Sequence, residues 1–196
     1  MLEESLVAAS KHIDSARAER MARVSSSASP RVALTPVDDT HDDFLYRTYA
    51  STRTEEMALT GWGPEQQHAF LRMQFEAQKR SYAAQFPDAK YWVIELDGAP
   101  VGRLIVDRSA ADILLMDIAL LPEFRGKGIG SHLMDQLTDE ARQTGKAIRL
   151  HVERFSPVLR WYERRGFRTV AESAIYLEML WNGAVQPREL GTEPCI

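Results

Sequence analysis

Apolar positions along this chain change their spacing several times, and the changes mark out its elements. Tyr91 to Leu96 and Pro100 to Asp107 are two strand-length runs joined by Asp97-Gly98, the strongest short-range signal for a β-hairpin. Ile113 to Leu121 is a nearly unbroken apolar run ended by Pro122, which predicts a central strand buried on both faces. The spacing then becomes helical: Ile129, Leu133, Met134, Leu137 and Ala141 form one stripe, with Asp135, Asp139, Glu140 and Arg142 at the other positions. Ala147 to Glu153 reads as a strand again, and a βαβ connection lays it parallel to the strand before the helix.

Upstream, a short strand is expected near Arg31 to Thr35, a helix from about His41 to Ser51, and a second from Pro64 to Phe86 with Leu71, Phe75, Gln78 and Tyr82 on one stripe. Downstream, Ser156 is placed to cap a last helix with Pro157 at its first position, Gly166 to end it, and two strands to close the sheet over Phe167 to Val170 and Ala174 to Trp181. Residues 1–30 read as an N-terminal helical or disordered extension ending in the serine-rich linker Ser25 to Pro30, residues 31–182 as one domain, and residues 183–196 as a loose tail.

The chemistry concentrates where the strand gives way to the helix, in Arg125-Gly126-Lys127-Gly128-Ile129-Gly130 followed by Ser131. Glycines there remove the Cβ atoms that would hold a diphosphate away from the backbone, and the positive end of the helix dipole faces the same point. Arg125 and Lys127 add full charges, and Ser131 a hydroxyl donor. Two better-known phosphate loops do not fit. The dinucleotide fingerprint needs G-x-G-x-x-G after the first strand of its unit, with an acidic residue about 20 positions later. A P-loop needs Gly-Lys followed by Ser or Thr, whereas Lys127 precedes Gly128.

Arg125, Gly128 and Gly130 stand where the GCN5-related N-acetyltransferase (GNAT) family has its acetyl-CoA loop: Arg or Gln, two residues, Gly, one residue, then Gly or Ala. Ser156 to Phe167 resembles that family's helix carrying a tyrosine before a terminal Gly-Phe. The resemblance spans about residues 31 to 182. It implies an α/β fold, the GNAT fold, in which a mixed, mostly antiparallel sheet with two splayed parallel strands is flanked by about four helices. It further implies acetyl-CoA as acyl donor, with the pantetheine arm pairing like an extra strand against Ala119, Leu120 and Leu121, at a bulge if one is present.

The same resemblance suggests roles. Tyr162 becomes the acid for the departing CoA thiolate, since an unperturbed phenol with a pKa of about 10 stays protonated at neutral pH. Ser156 falls where the family often has a cofactor-contacting Asn. The strand glutamate that some members use as base is replaced by Leu114. Within Leu150-His151-Val152, His151 takes the place of a carboxylate used by others, and imidazole suits proton transfer near cellular pH. Asp117 is a rival base, because an acid in an apolar strand is costly to bury unless paired or functional; otherwise it anchors a neighbouring backbone or Arg103. Water is a third route for the proton. Between the first two helices, Glu55 and Glu56 suit a cationic amine and Trp62 a stacked substrate, although the same residues also suit a solvated helix end and a tryptophan covering the core.

Composition narrows the picture further. The 196-residue chain, 44% hydrophobic, has the length of one domain with a substantial core. A net charge of −4 argues against a general nucleic-acid binder. No apolar run reaches the length of a membrane span and Met1 to Glu4 is acidic where a secretory signal is basic, so a cytoplasmic location is the expectation. The lone Cys195 can form no internal disulfide. No metal is called for. The expected function is acetyl transfer from acetyl-CoA to a primary amine, small molecule or peptide, by direct attack in a ternary complex. The alternatives are a protein N-terminal or lysine acetyltransferase, and a non-catalytic acyl-CoA sensor or interaction module. Edge strands and the N-terminal extension leave room for a homodimer.

Overall fold

A computed structural model describes residues 31–183. The expected N-terminal extension, Cys195 and all of the expected tail beyond residue 183 lie outside the described residues. Strand β1 (Val32–Pro36) is followed by a 3-10 turn (Asp39–His41), helix α1 (Asp42–Ser51), a short helix α2 (Thr54–Ala58) and the long helix α3 (Pro64–Gln85). Then come β2 (Lys90–Leu96), β3 (Ala99–Arg108), β4 (Asp112–Leu120), α4 (Ile129–Thr144), β5 (Ala147–Glu153), α5 (Leu159–Arg164), β6 (Arg168–Glu172) and β7 (Tyr176–Trp181). The strands form one sheet in the order β1-β2-β3-β4-β5-β7-β6, with β4 and β5 as its parallel pair. Among the described residues, no helix is long and apolar enough to cross a membrane.

The hairpin between β2 and β3 forms at Asp97-Gly98, where both residues take positive φ (52° and 81°), the backbone that a two-residue turn matching strand twist requires. Helix α2 leaves no signal in the sequence, since its five residues are too few to display a helical period. Ser156 and Pro157 do not start the last helix: α5 begins at Leu159 with Val158 as N-cap and no side-chain cap, and Ser156 instead accepts the Leu159 N–H through its carbonyl. A one-turn helix gains little from a cap when its stability comes from packing Tyr162.

Alternation within the strands sorts the two faces of the sheet. Ile148, Leu150 and Val152 of β5 are buried on the side covered by α4, with Ile113 and Leu115 of β4 in register with the first two. The other side packs against α1, α2 and α3, through a core of Leu45, Tyr49, Met57, Leu71, Phe75 and Val93.

Two features of β4 shape what lies beyond. The pairing with β5 runs from Asp112/Ala147 to Leu115/Leu150 and stops, and the register against β3 slips at the next residue: Val106 faces Leu115 and Ile105 faces Asp117, leaving Met116 as an extra residue. Such a bulge bends its strand, so β4 turns away from β5 at the point where their pairing ends. Past the bulge, Gly102 of β3 sits opposite Leu120 so closely that a Cβ would lie 2.3 Å from the Ala119 carbonyl oxygen and 2.7 Å from Leu120 Cδ2. Gly102→Ala is therefore expected to destabilise the fold by about 1–3 kcal/mol, the ordinary range for overpacking, and so to lower the melting temperature by several degrees. An unchanged thermal melt would show that the end of β4 gives way freely.

Candidate active site

The opening between β4 and β5 is bordered by unpaired backbone. The Leu121 N–H donates to the Val101 carbonyl at 2.9 Å, so by alternation Ala119 and Leu121 turn their polar backbone groups to β3. Ile118 and Leu120 turn theirs to the opened side. This refines the expectation of strand-like pairing around Ala119 to Leu121: the groups available for an extended ligand belong to Ile118 and Leu120. The Leu120 carbonyl is already engaged there, accepting from Arg125 Nε at 2.9 Å.

After Leu121, Pro122–Phe124 makes one 3-10 turn and the glycine loop follows. Gly126 and Gly128 hold positive φ (72° and 82°), a left-handed backbone that glycine adopts without the penalty other residues carry. Gly128 is the N-cap of α4 and offers no side chain to its first turn; that turn contains no acidic residue. The first amides of α4, which no helix satisfies internally, thus point out of the helix end. Nothing lies within 4 Å of where a Cβ would sit on Gly126, Gly128 or Gly130, so open space surrounds the loop on the side a ligand would approach. These features fit a diphosphate. Arg125, however, faces the protein: besides the Leu120 carbonyl it donates to the Ser51 carbonyl at the end of α1, at 3.3 Å. Lys127 remains the basic side chain at the loop, its Nζ 5.1 Å from the centre of the Phe124 ring. Ile129 is buried beneath the loop, while Ser131 and Ser156 are both partly exposed.

Asp117 and His151 project from the same face of the sheet, the one that α1 and α3 cover. Leu115 and Leu150 share the opposite face as register partners; the bulge puts Asp117 across from Leu115, and His151 directly follows Leu150. Asp117 is bound in an ion pair with Arg103 Nη2, the partner its position in an apolar strand suggested, and Arg103 is 5% exposed. The guanidinium also donates to Gln78 at 3.3 Å and lies over the Tyr49 ring. Tyr162 is buried on α5, edge-on to Trp161 and Phe167 with ring centres 5.0 Å and 5.5 Å away. Burial, reinforced by the negative charge of Asp117, pushes its phenol up to about 12. Its hydroxyl makes no hydrogen bond among the described residues. His151 is exposed, opposite Glu178 on β7.

The expected acceptor side divides. Glu55 and Glu56 lie exposed on α2; Glu56 pairs with Arg53 at 3.0 Å, and Arg53 reaches Glu153 at the end of β5 at 3.4 Å. This places the α1–α2 junction beside the end of β5 on the face that carries Asp117 and His151. Trp62 packs edge-on against the partly buried Phe70 at 5.1 Å, with 42% of its surface exposed. Sequence reasoning missed Arg53 and Glu153, whose proximity across 100 positions has no local signature.

Residues 87–169 match the model of the acetyltransferase (GNAT) domain. No curated protein matches the chain by sequence. Among solved structures, PaiA N-acetyltransferase from Thermoplasma acidophilum, in complex with coenzyme A, is 17% identical, covers 78% of this chain and 99% of its own, and has a TM-score of 0.61. An acetyltransferase from Thermus thermophilus is 19% identical over 77% of this chain and 96% of its own, with a TM-score of 0.54. Ard1 from Thermoplasma volcanium is 19% identical over 77% and 97%, with a TM-score of 0.52. At such identities the likeness is one of fold. The family model and the architecture agree: residues 87–169 match the GNAT acetyltransferase domain, and the mixed, mostly antiparallel seven-stranded sheet with β4 and β5 parallel is the GNAT fold.

Proposed function

We propose that this protein transfers an acetyl group from acetyl-CoA to a primary amine, by direct attack in a ternary complex. The observation that carries this reading is a glycine loop with open space at the start of α4, following the strand whose backbone is freed where β4 leaves β5 and which bears Asp117, the charge felt by the buried Tyr162 phenol. The Thermoplasma acidophilum protein binds coenzyme A on the same fold, which supports the donor.

In this reading the amides at the start of α4 and Lys127 hold the diphosphate, while Ile118 and Leu120 pair with the pantetheine arm. As the amine nitrogen forms its bond to the acetyl carbon and the carbon–sulfur bond breaks, Tyr162 donates its proton to the departing sulfur and is reprotonated from solvent. Protons lost by the nitrogen leave through His151 or water. Asp117 serves by position, since its carboxylate is committed to Arg103. The acceptor approaches from the face that carries Asp117 and His151, under the α1–α2 junction. Carboxylates on that face come matched with arginines, Glu153 with Arg53 and Glu178 with Arg149, which leaves Glu55 on the rim to attract an ammonium. We favour a small acceptor over a protein N-terminus or lysine. A cytoplasmic location and a homodimer belong to the same proposal.

Release of CoA thiol from acetyl-CoA, with pooled amines, polyamines, amino acids and short peptides, tests the reading. Release that depends on one pool identifies the acceptor class. Donor binding without release in any pool would favour an acyl-CoA sensor, a role to which Leu114 in place of a strand glutamate lends support. The pH profile supplies a separate check. Because burial raises the Tyr162 phenol, it stays protonated as pH rises past the value of a free tyrosine, and kcat should show no fall with a midpoint near 10. A fall there would identify an acid in contact with solvent and exclude Tyr162.

A further inference from the structure

A cavity of about 630 Å³ lies between α1, α3 and strands β2 and β3, within the size range of small-molecule sites. Buried Leu45, Phe75 and Ile105 form its apolar depth, while exposed Asp38 and Asp39, with Glu76, stand at its mouth. Two residues lining it bear polar atoms that are buried and lack any hydrogen-bond partner, the Tyr91 hydroxyl and Arg103 Nε. Both can donate, and a buried donor without an acceptor destabilises the fold that holds it. An acceptor oxygen brought into the cavity by a ligand would satisfy the donor it meets.

We propose that this cavity is a second ligand site, for a small molecule with an amide or ketone oxygen at its buried end, an apolar body and a neutral or positively charged tail. The tail's sign follows from charge already in place. Arg103 is neutralised by Asp117, so a buried anion would find no free countercharge, and the mouth carries more carboxylates than cations. The site is separate from the path assigned to acetyl transfer. None of the glycine loop, Tyr162 or His151 lines it, and the proposal does not depend on that activity. Arg103 links the two regions, since its partner Asp117 acts on Tyr82 in the cavity wall as well as on Tyr162.

The test is calorimetric titration of the full chain with N-[2-(dimethylamino)ethyl]benzamide, whose tertiary nitrogen cannot accept a stable acetyl group, and with hippurate, which carries a carboxylate in place of the ammonium. Saturable binding of one equivalent of the cationic amide is expected, unaffected by saturating acetyl-CoA, with hippurate at least about tenfold weaker. Ala83→Trp, from an exposed position on the cavity wall, should abolish the binding while leaving the thermal melt in place. Tyr91→Phe should weaken binding several-fold without lowering the melting temperature, because the hydroxyl it removes has no partner to lose. Absence of saturable binding, binding that survives Ala83→Trp, displacement by acetyl-CoA, equal affinity for hippurate, or a Tyr91→Phe protein that melts early would each overturn the proposal.

Discussion

Tyr162→Phe is expected to lower kcat by about 10²- to 10⁴-fold, the range contributed by a positioned proton donor, while acetyl-CoA affinity stays within about twofold. The substitution removes one oxygen and keeps the ring. Tyr162 packs by its ring against Trp161 and Phe167, and its hydroxyl holds no other residue in place, so the fold has little to lose. The split between turnover and binding is therefore the diagnostic. Stopped-flow or steady-state kinetics with an amine that supports CoA release in the pooled screen would measure kcat, and calorimetry the donor affinity. An equal loss in both would make Tyr162 part of the donor pocket's wall. Unchanged turnover would assign the proton to water.

Gly128→Glu should reduce acetyl-CoA affinity by at least about 100-fold, for three reasons that act together. The residue holds φ at 82°, where any side chain is strained by roughly 1–2 kcal/mol. Its Cβ would enter the open space through which a diphosphate would approach. A carboxylate there opposes phosphate charge at the helix end that otherwise attracts it. Gly128→Ala separates these causes by retaining the strain and a little bulk without the charge, and a milder loss is expected from it. Because no protein atom lies near the new side chain, the melting temperature should change much less than the affinity. Normal donor binding by Gly128→Glu would remove the loop from the site.

Much of this architecture is legible in the sequence, and the reasons are local. Asp97-Gly98 demands a particular turn, the Ile113 to Leu121 run demands burial on both faces, and the glycines after Arg125 are hard to explain except by backbone that must be approached. What remained hidden is long-range or too short for a period. Helix α2 spans little more than one turn. Ser156 and Pro157 had the chemistry of a helix start, but packing of Tyr162 set the start at Leu159. Arg125 looked like a phosphate ligand by its position in the motif; that it donates to the carbonyls of Leu120 and Ser51 depends on α1 ending 74 positions earlier in the chain. The Arg103–Asp117 pair was legible as an option, because apolar strands seldom carry both charges. Its burial beneath Tyr49 and Gln78 was not.

The bulge at Met116 has a consequence for how this strand tolerates change in length. Leu115 and Asp117 occupy opposite faces although two positions separate them, because Met116 is not counted in the alternation. A deletion of Met116 would accordingly leave every neighbour on its present side and convert β4 to a regular strand, whereas deleting Ile118 would turn Ala119 and Leu120 inside out. One methionine thus acts as a removable spacer: it contributes the bend that parts β4 from β5 and nothing to the order of faces, so shape and side-chain placement in this strand can be altered independently.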